Sequence, residues 1–491
     1  MPTSPALPAK LAPVVRAFLD RRDLLDHALR TNGSPLHLLF PQVVADNLAA
    51  LRAVLDAHPL RYRLCYAHKV NHSRAFVRTV EHAGIDIDVA SPQELAAAHT
   101  AGFSCDRIEV TGPKGAALLR AALAASATVN VDNAWELSRI AELADTGNPV
   151  RVLLRVNGFD PPGANASISR FGFAPHQLDG AFELLAAQRN RIRFLGFAFH
   201  LDSGAIADRV RAIDGCLTLV ERAAAYGLTA AVLDIGGGFR QVFTADVDRF
   251  DRYTKALRAA LVGHATPMSW GNNTFGYRID AQAVHGIPIF HKYANTVEST
   301  AMLAELLATP LPRHGARTIA EVLADNLLEV WAEPGKSLVD HAGVTLATVE
   351  FVKEAADGSL LVHLDLSRDR VTPADQEVMV DPILLPDHTD DTDDTDHETE
   401  TDSVGVYFAG QLCLERDMIT THKVWLPRRP RTGDLVVFPN TAAYNMDLSS
   451  ASASMRPPPP KLAVTRNGDD FRVVPDADYR PSGDVDTHGR C

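Results

Sequence analysis

From about residue 36 to 335, short β-rich runs alternate with longer helical stretches, and that alternation limits the folds open to the chain. The strand candidates are "LHLLF" (36–40), "YRLCYAHK" (62–69), "IDIDVA" (85–90), "IEVTG" (108–112), "ATVNVD" (127–132), "VRVLLRVN" (150–157), "FLGFAFHLD" (194–202), "AVLDIGGG" (231–238) and "LEVWAEPG" (328–335). Helical stretches such as "PQVVADNLAALRAVLDAH" and "SPQELAAAHTAG" lie between them. In the second, Ser91 precedes Pro92 and is followed three residues later by Glu94, a capping-box start. Repeated βα units imply a parallel sheet, either a closed barrel or an open doubly wound sheet. The run at 36–40 is one more than an eight-stranded barrel needs, so it reads as a lead-in strand outside the barrel. The long stretch 262–327 reads as a helical insertion near the barrel mouth.

After residue 340 the pattern becomes alternating strands: "VTLATVEFVKE", "SLLVHLDL", "VGVYFAG", "HKVWLP", "GDLVVF" and a hairpin around "AVTRNGDDFRVV". This reads as a second, all-β domain. The expected organisation is an N-terminal extension (1–35) packing on the β domain, a barrel domain (36–335), a β domain (336–475) and a disordered tail (476–491). The run "DHTDDTDDTDHETETD" (387–402) is expected to be a solvated, disordered loop, because so acidic a repeat cannot bury a core.

The formal net charge of −13 argues against nucleic acid or an anionic membrane as a partner. The five cysteines are scattered and lack CxxC spacing, so neither a disulfide framework nor a zinc site is expected. No run reaches membrane-spanning length, and a reduced, cytoplasmic protein is expected. No metal site is expected.

Chemistry-bearing residues cluster at strand ends. In "LCYAHKVNHS" an amine, Lys69, ends an apolar strand, either reaching solvent or serving as a Schiff-base lysine. In "LDIGGGF" the three glycines Gly236, Gly237 and Gly238 allow close approach of backbone N–H groups to an anion, or simply a tight turn. "FHLDSGA" offers His200 and Ser203, which suit a core histidine and a helix cap, or a flat aromatic cofactor carrying a phosphate. "WAEPGKSLV" places Glu333 at a strand end before Pro334 and Gly335, where a carboxylate needs a partner such as a protonated pyridine nitrogen. Lys69, His200, the glycines and Glu333 all fall at C-terminal strand ends, where a (β/α)8 barrel gathers its active site.

The order of these motifs closely resembles the fold-type III pyridoxal-phosphate decarboxylases, the group of diaminopimelate, ornithine and arginine decarboxylases. Matching motifs run from residue 64 to about 450. The resemblance implies an α/β fold with a (β/α)8 TIM barrel of the alanine-racemase type plus a second, all-β domain. It implies pyridoxal 5'-phosphate as cofactor and decarboxylation of an amino-acid-type substrate through a Lys69 Schiff base and a quinonoid intermediate. By the same resemblance His200 stacks on the ring, Ser203 and Gly236 to Gly238 bind the phosphate, and Glu333, in "EPGK" with Lys336, pairs with the ring nitrogen. Tyr444, in "NTAAYNM", matches a tyrosine at the phosphate. Asp88 and Arg155 match positions near the cofactor. Cys413, in "GQLCLERD", matches a cysteine supplied by the partner subunit, implying a homodimer with shared active sites, and is a candidate to return a proton to Cα, with Lys69 as the alternative. A racemase on the same fold and a catalytically silent regulatory homologue are the rival readings. Glu333 and the β-domain motifs favour decarboxylation, and the retained lysine, histidine and cysteine favour an enzyme.

Three departures bear on the substrate. Leu414 stands where diamino acid decarboxylases place an acid for the distal ammonium. Glu415 is one residue further on, and in a strand that shift reverses side-chain direction. Lys336 replaces an arginine, keeping the charge but losing the bidentate fork. The segment "VHLDLSRDRVTPADQ" replaces a Gly-Met or Gly-Tyr pair, leaving Arg368 and Arg370 as candidate carboxylate binders or surface arginines. An amino acid or conjugate other than a simple diamino acid is therefore expected.

Overall fold

The computed structural model describes residues 5–159, 169–244, 246–371, 379–387, 403–447 and 455–482. The described chain forms two compact units. One comprises residues 45–240 and 298–338, and the other residues 5–44, 241–297 and 339–479.

In the first unit eight parallel strands close into a barrel. In chain order they are Tyr62–Ala67, Asp86–Val89, Ile108–Val110, Thr128–Val131, Val150–Arg155, Ile192–Ala198, Val232–Asp234 and Glu329–Ala332, the last pairing with the first. The eight runs expected from the sequence each supply one strand. Short apolar strands buried on both faces are what a parallel sheet covered by helices requires. The helices between them start on local signals. Ser91 Oγ accepts the Glu94 amide at 3.1 Å and Asn133 Oδ1 accepts the Glu136 amide at 3.0 Å. Glu94 completes only half of the expected box: its carboxylate takes the Ala90 amide and His72 Nε2.

In the second unit nine strands form one sheet system around a core that includes Val349, Val362, Phe408, Val424 and Phe438. The lead-in strand Leu36–Leu39 runs antiparallel to Gly343–Glu354 and parallel to Lys461–Asn467, so it belongs to this sheet. The strand Ile383–Leu385 is an addition that the sequence reading omitted. Residues 5–44 dock on the same unit: the Leu7 amide donates to Asp381 at 2.6 Å, and Phe18 meets the Phe471 ring edge-on.

The expected domain limits need correction. Residues 241–297 group with the β unit, because Tyr253, Leu257, Phe275, Phe290 and Tyr293 bury themselves with Leu7, Met379 and Val380. Nor is 262–297 mainly helical: it holds short 3-10 turns and a small hairpin, Arg278–Asp280 with Ala283–His285. Residues 298–327 instead supply the helices Ser299–Ala308 and Ile319–Asp325 that precede the last barrel strand. At the other end the start of the expected tail is ordered. Asp476–Asp478 forms a 3-10 turn and Tyr479 is buried. Residues 388–402 of the acidic run and 483–491 of the tail lie outside the described residues.

Candidate active site

The barrel brings its chemistry to one end. Lys69 sits, half-buried, in the 3-10 turn His68–Val70 directly after the first strand. Asp88 lies in the second strand and pairs in register with Glu109 of the third, so both side chains share a face. Arg155 ends the fifth strand and covers the Phe171 ring at 4.6 Å. His200 follows the sixth strand, Gly236 to Gly238 the seventh, and Glu333 the eighth.

Glu333 is buried, and its Oε2 lies 3.7 Å from His200 Nδ1. Burial pushes its carboxyl up, but His200, Lys69 and Arg155 together outweigh burial and hold it at about 2. Asp88, Glu109 and Asp234 go the other way. Burial, with repulsion from Glu333 and other nearby carboxylates, raises all three carboxyls well above the ordinary range. Oxygens of Glu109, Asp234 and Glu333 lie within 4.8 Å of one another. Asp88 Oδ1, Glu109 Oε1 and Asp234 Oδ2 receive no hydrogen bond among the described residues, which is tolerable for protonated acids and costly for buried carboxylates. Burial and repulsion therefore favour the protonated forms of Asp88, Glu109 and Asp234, whereas Glu333 keeps its charge.

The glycine loop is set by packing as well as by any ligand. A Cβ on Gly236 or Gly238 would collide with the carbonyl of Phe199 or Leu201, and both residues have positive φ, 65° and 74°. Asp234 Oδ1 accepts the Gly236 amide at 2.8 Å and His200 Nδ1 accepts the Gly237 amide at 3.2 Å. The N–H groups of Gly238 and Phe239 donate to no atom among the described residues. Ser203 Oγ accepts the Ala205 amide at 3.1 Å and bonds the Asp208 carboxylate, a local turn ahead of the helix Ile206–Ala224, whose N-cap is Ala205, so Ser203 is not the helix cap that its sequence position allowed. Pro334 is buried, and a Cβ on Gly335 would meet Val70 Cγ2 at 2.5 Å, so glycine there lets the eighth strand end close against the Lys69 turn. Lys336 Nζ donates to Asp202 at 2.6 Å.

The remaining candidates lie in the β unit. Cys413 and Leu414 are exposed on a turn-rich loop. The expectation about side-chain alternation at Glu415 does not apply, because residues 411–416 form turns, with the Leu414 amide bonded to the Leu412 carbonyl. Asp417 organises that loop by accepting the Leu412 and Arg368 amides at 2.7 and 2.8 Å. Arg368 donates to the Arg416 carbonyl and Arg370 to the Arg456 carbonyl, so both guanidinium groups have structural tasks. Tyr444 adopts φ 64°, a left-handed conformation that is strained for a bulky residue and that often accompanies functional sites.

Glu109, Asp234 and Arg209, which holds the glycine loop, did not figure in the sequence reading. Glu109 is the charged residue inside "IEVTG", and Asp234 directly precedes the glycines, so both carried a signal: an acid in an apolar strand. Arg209 carried none, since an arginine on a helix reads as solvated.

A closed βα barrel with an amine, an ionised buried carboxylate and an amide-lined glycine loop at its strand ends defines a cofactor-dependent barrel enzyme. The family described as "Pyridoxal-dependent decarboxylase, pyridoxal binding domain" matches residues 44–271. An uncharacterized protein, y4yA, of Sinorhizobium fredii is 31% identical over 471 residues, covering 95% of this chain and 93% of that protein. Diaminopimelate decarboxylase of Bacillus subtilis is 27% identical over 463 residues, 90% of this chain and 89% of its own. A crystal structure of lysine/ornithine decarboxylase complexed with cadaverine from Vibrio vulnificus shares the fold, with a TM-score of 0.64 at 20% identity, over 93% of this chain and 100% of that one. The chain belongs to the fold-type III pyridoxal-phosphate-dependent decarboxylases, related to the diaminopimelate, ornithine and arginine enzymes. Membership carries carboxy-lyase activity on an amino-acid-type substrate, and family and fold imply pyridoxal phosphate as cofactor. The donor set fits that group: an amine, a buried carboxylate held ionised and two amides that find no acceptor among the described residues.

Proposed function

We propose that the chain decarboxylates an amino acid or amino-acid conjugate other than a simple diamino acid, as a cytoplasmic homodimer with shared active sites. The observation that carries the reading is the ionised, buried Glu333 at the same barrel end as Lys69 and His200. Pyridoxal phosphate, when bound, supplies a sink for the electron pair left at Cα as CO2 departs. Lys69 is the amine that anchors the cofactor's carbonyl carbon. Glu333 holds a proton on the ring nitrogen, because a buried carboxylate strongly favours a cation beside it. His200 orients the ring, with Asp88 and Arg155 around it. The loop of Gly236, Gly237 and Gly238 lines the phosphate, with the Gly238 amide turned to it, joined by Ser203 and Tyr444, and Pro334 and Gly335 set the turn that carries Lys336. Cys413, from the partner subunit, returns a proton to Cα.

The exposed Leu414 supports the substrate class. A side chain without charge cannot hold a distal ammonium, and a charge-assisted hydrogen bond is worth about 1.5–3 kcal/mol. Larger, acylated or carboxylate-bearing amino acids lack that need. The test is CO2 release from a substrate panel by the cofactor-loaded enzyme. Turnover of an acylated or carboxylate-bearing amino acid with poor turnover of meso-diaminopimelate, lysine and ornithine is expected. Efficient decarboxylation of any of those three contradicts the substrate reading.

A further inference from the structure

Arg209 heads the completely buried side chains by size. It stands in the first turn of the helix Ile206–Ala224. Its guanidinium donates to three carbonyls, Gly237 at 2.6 Å, Leu201 at 2.9 Å and Ile235 at 3.3 Å, and lies 4.9 Å from the Phe239 ring. Among the described residues no carboxylate forms an ion pair with it, and its Nε has no acceptor. Burial lowers its pKa to about 10, so it stays charged at neutral pH. Asp202 and Asp208 act on it through space but form no ion pair with it; a buried cation without a direct partner is costly, and an anion held nearby offsets that cost.

The peptide geometry shows where such an anion would sit. In a trans peptide the C=O and the following N–H point in opposite directions. With the Gly237 carbonyl turned to Arg209, the Gly238 N–H faces the other way, and it has no acceptor among the described residues. The other cations on this rim are compromised. Lys336 is paired with Asp202 at 2.6 Å and is partly exposed, and Arg240 bonds the Gly204 carbonyl and is also partly exposed. Solvent screens both.

We propose that Arg209 is a positioning residue for the cofactor's phosphate, fixing the glycine-loop amides outward and supplying from behind the loop a buried positive charge that favours a phosphorylated ligand. This rests on the reading of the glycine loop as the phosphate site.

The test compares dissociation constants of pyridoxal phosphate and pyridoxal, measured by absorbance titration of the full-length protein. In wild type the phosphorylated form binds more tightly. Arg209→Met lowers the ratio of the two constants at least about tenfold, and Arg209→Lys keeps it within about threefold. Circular dichroism checks folding, and Arg209→Gln replaces the methionine variant if that one fails to fold. A wild type with no preference for the phosphorylated form removes the phosphate-site reading and the inference with it. A preference in wild type that survives in a folded, neutral Arg209 variant overturns the inference alone.

Discussion

Glu333 Oε2 lies 3.7 Å from His200 Nδ1, and that same nitrogen accepts the Gly237 amide at 3.2 Å. Accepting that amide favours the Nε2-protonated tautomer of the imidazole. Burial also holds His200 below its usual value. At 3.7 Å the contact with Glu333 is electrostatic and too long for a hydrogen bond. Among the groups that hold the Glu333 carboxyl down, His200 acts most strongly, followed by Lys69 and Arg155.

Replacing that charge isolates its role. Glu333→Gln keeps the shape and removes the ionised oxygen, so kcat falls by about 10²–10³ while the cofactor remains attached to Lys69. Stopped-flow turnover with an absorbance scan checks it. Unchanged kcat in the variant contradicts a role for Glu333 at the ring nitrogen.

The three raised acids make stability depend on pH. A carboxyl with a raised folded-state pKa stabilises the fold fully below its unfolded value, about 4, and that contribution is lost as pH rises through the folded value. Each such group steepens the decline by about 1.4 kcal/mol per pH unit in that window. Glu109→Gln removes one of them. Melting curves of the cofactor-free protein between pH 5 and 8 should fall less steeply for the variant than for wild type. Parallel profiles show that Glu109 is not held protonated.

Much of this architecture was legible in the sequence, because each barrel strand is a short apolar run bounded by turn residues, as in "IDIDVA" and "ATVNVD". Lys69, His200 and Glu333 were legible for a related reason: a polar residue at the end of an apolar run is conspicuous. The membership of 241–297 was not. Tyr253 and Phe290 read as generic core residues, and only the fold shows that they pack with Leu7 and Met379. The loop around Cys413 read as a strand because "GQLCLERD" follows one, whereas Asp417 draws its backbone amides into turns. Arg209 was illegible because helix position says nothing about three carbonyls brought by two distant loops.

Shared sites can be tested by complementation. Cys413→Ala slows turnover and leaves the cofactor spectrum intact, and Lys69→Ala is inactive. Mixed dimers regain one complete site, so co-incubation recovers up to about a quarter of wild-type activity when subunits exchange at random. No recovery despite exchange shown by mass spectrometry excludes a cysteine from the partner.

Leu414→Asp or Leu414→Glu supplies the missing acid. Use of at least one of meso-diaminopimelate, lysine or ornithine should rise about tenfold to a hundredfold in kcat/KM. Steady-state CO2 release measures it, and no gain with all three shows that Leu414 does not face the substrate's distal end.

The most direct measurement is borohydride reduction of the cofactor-loaded protein followed by peptide mass spectrometry. A reduced Schiff base on Lys69 is expected, together with its loss in Lys69→Ala and a wild-type absorption band at the violet edge of the visible. An unmodified Lys69 peptide in a sample that carries the cofactor elsewhere would contradict the account at its centre.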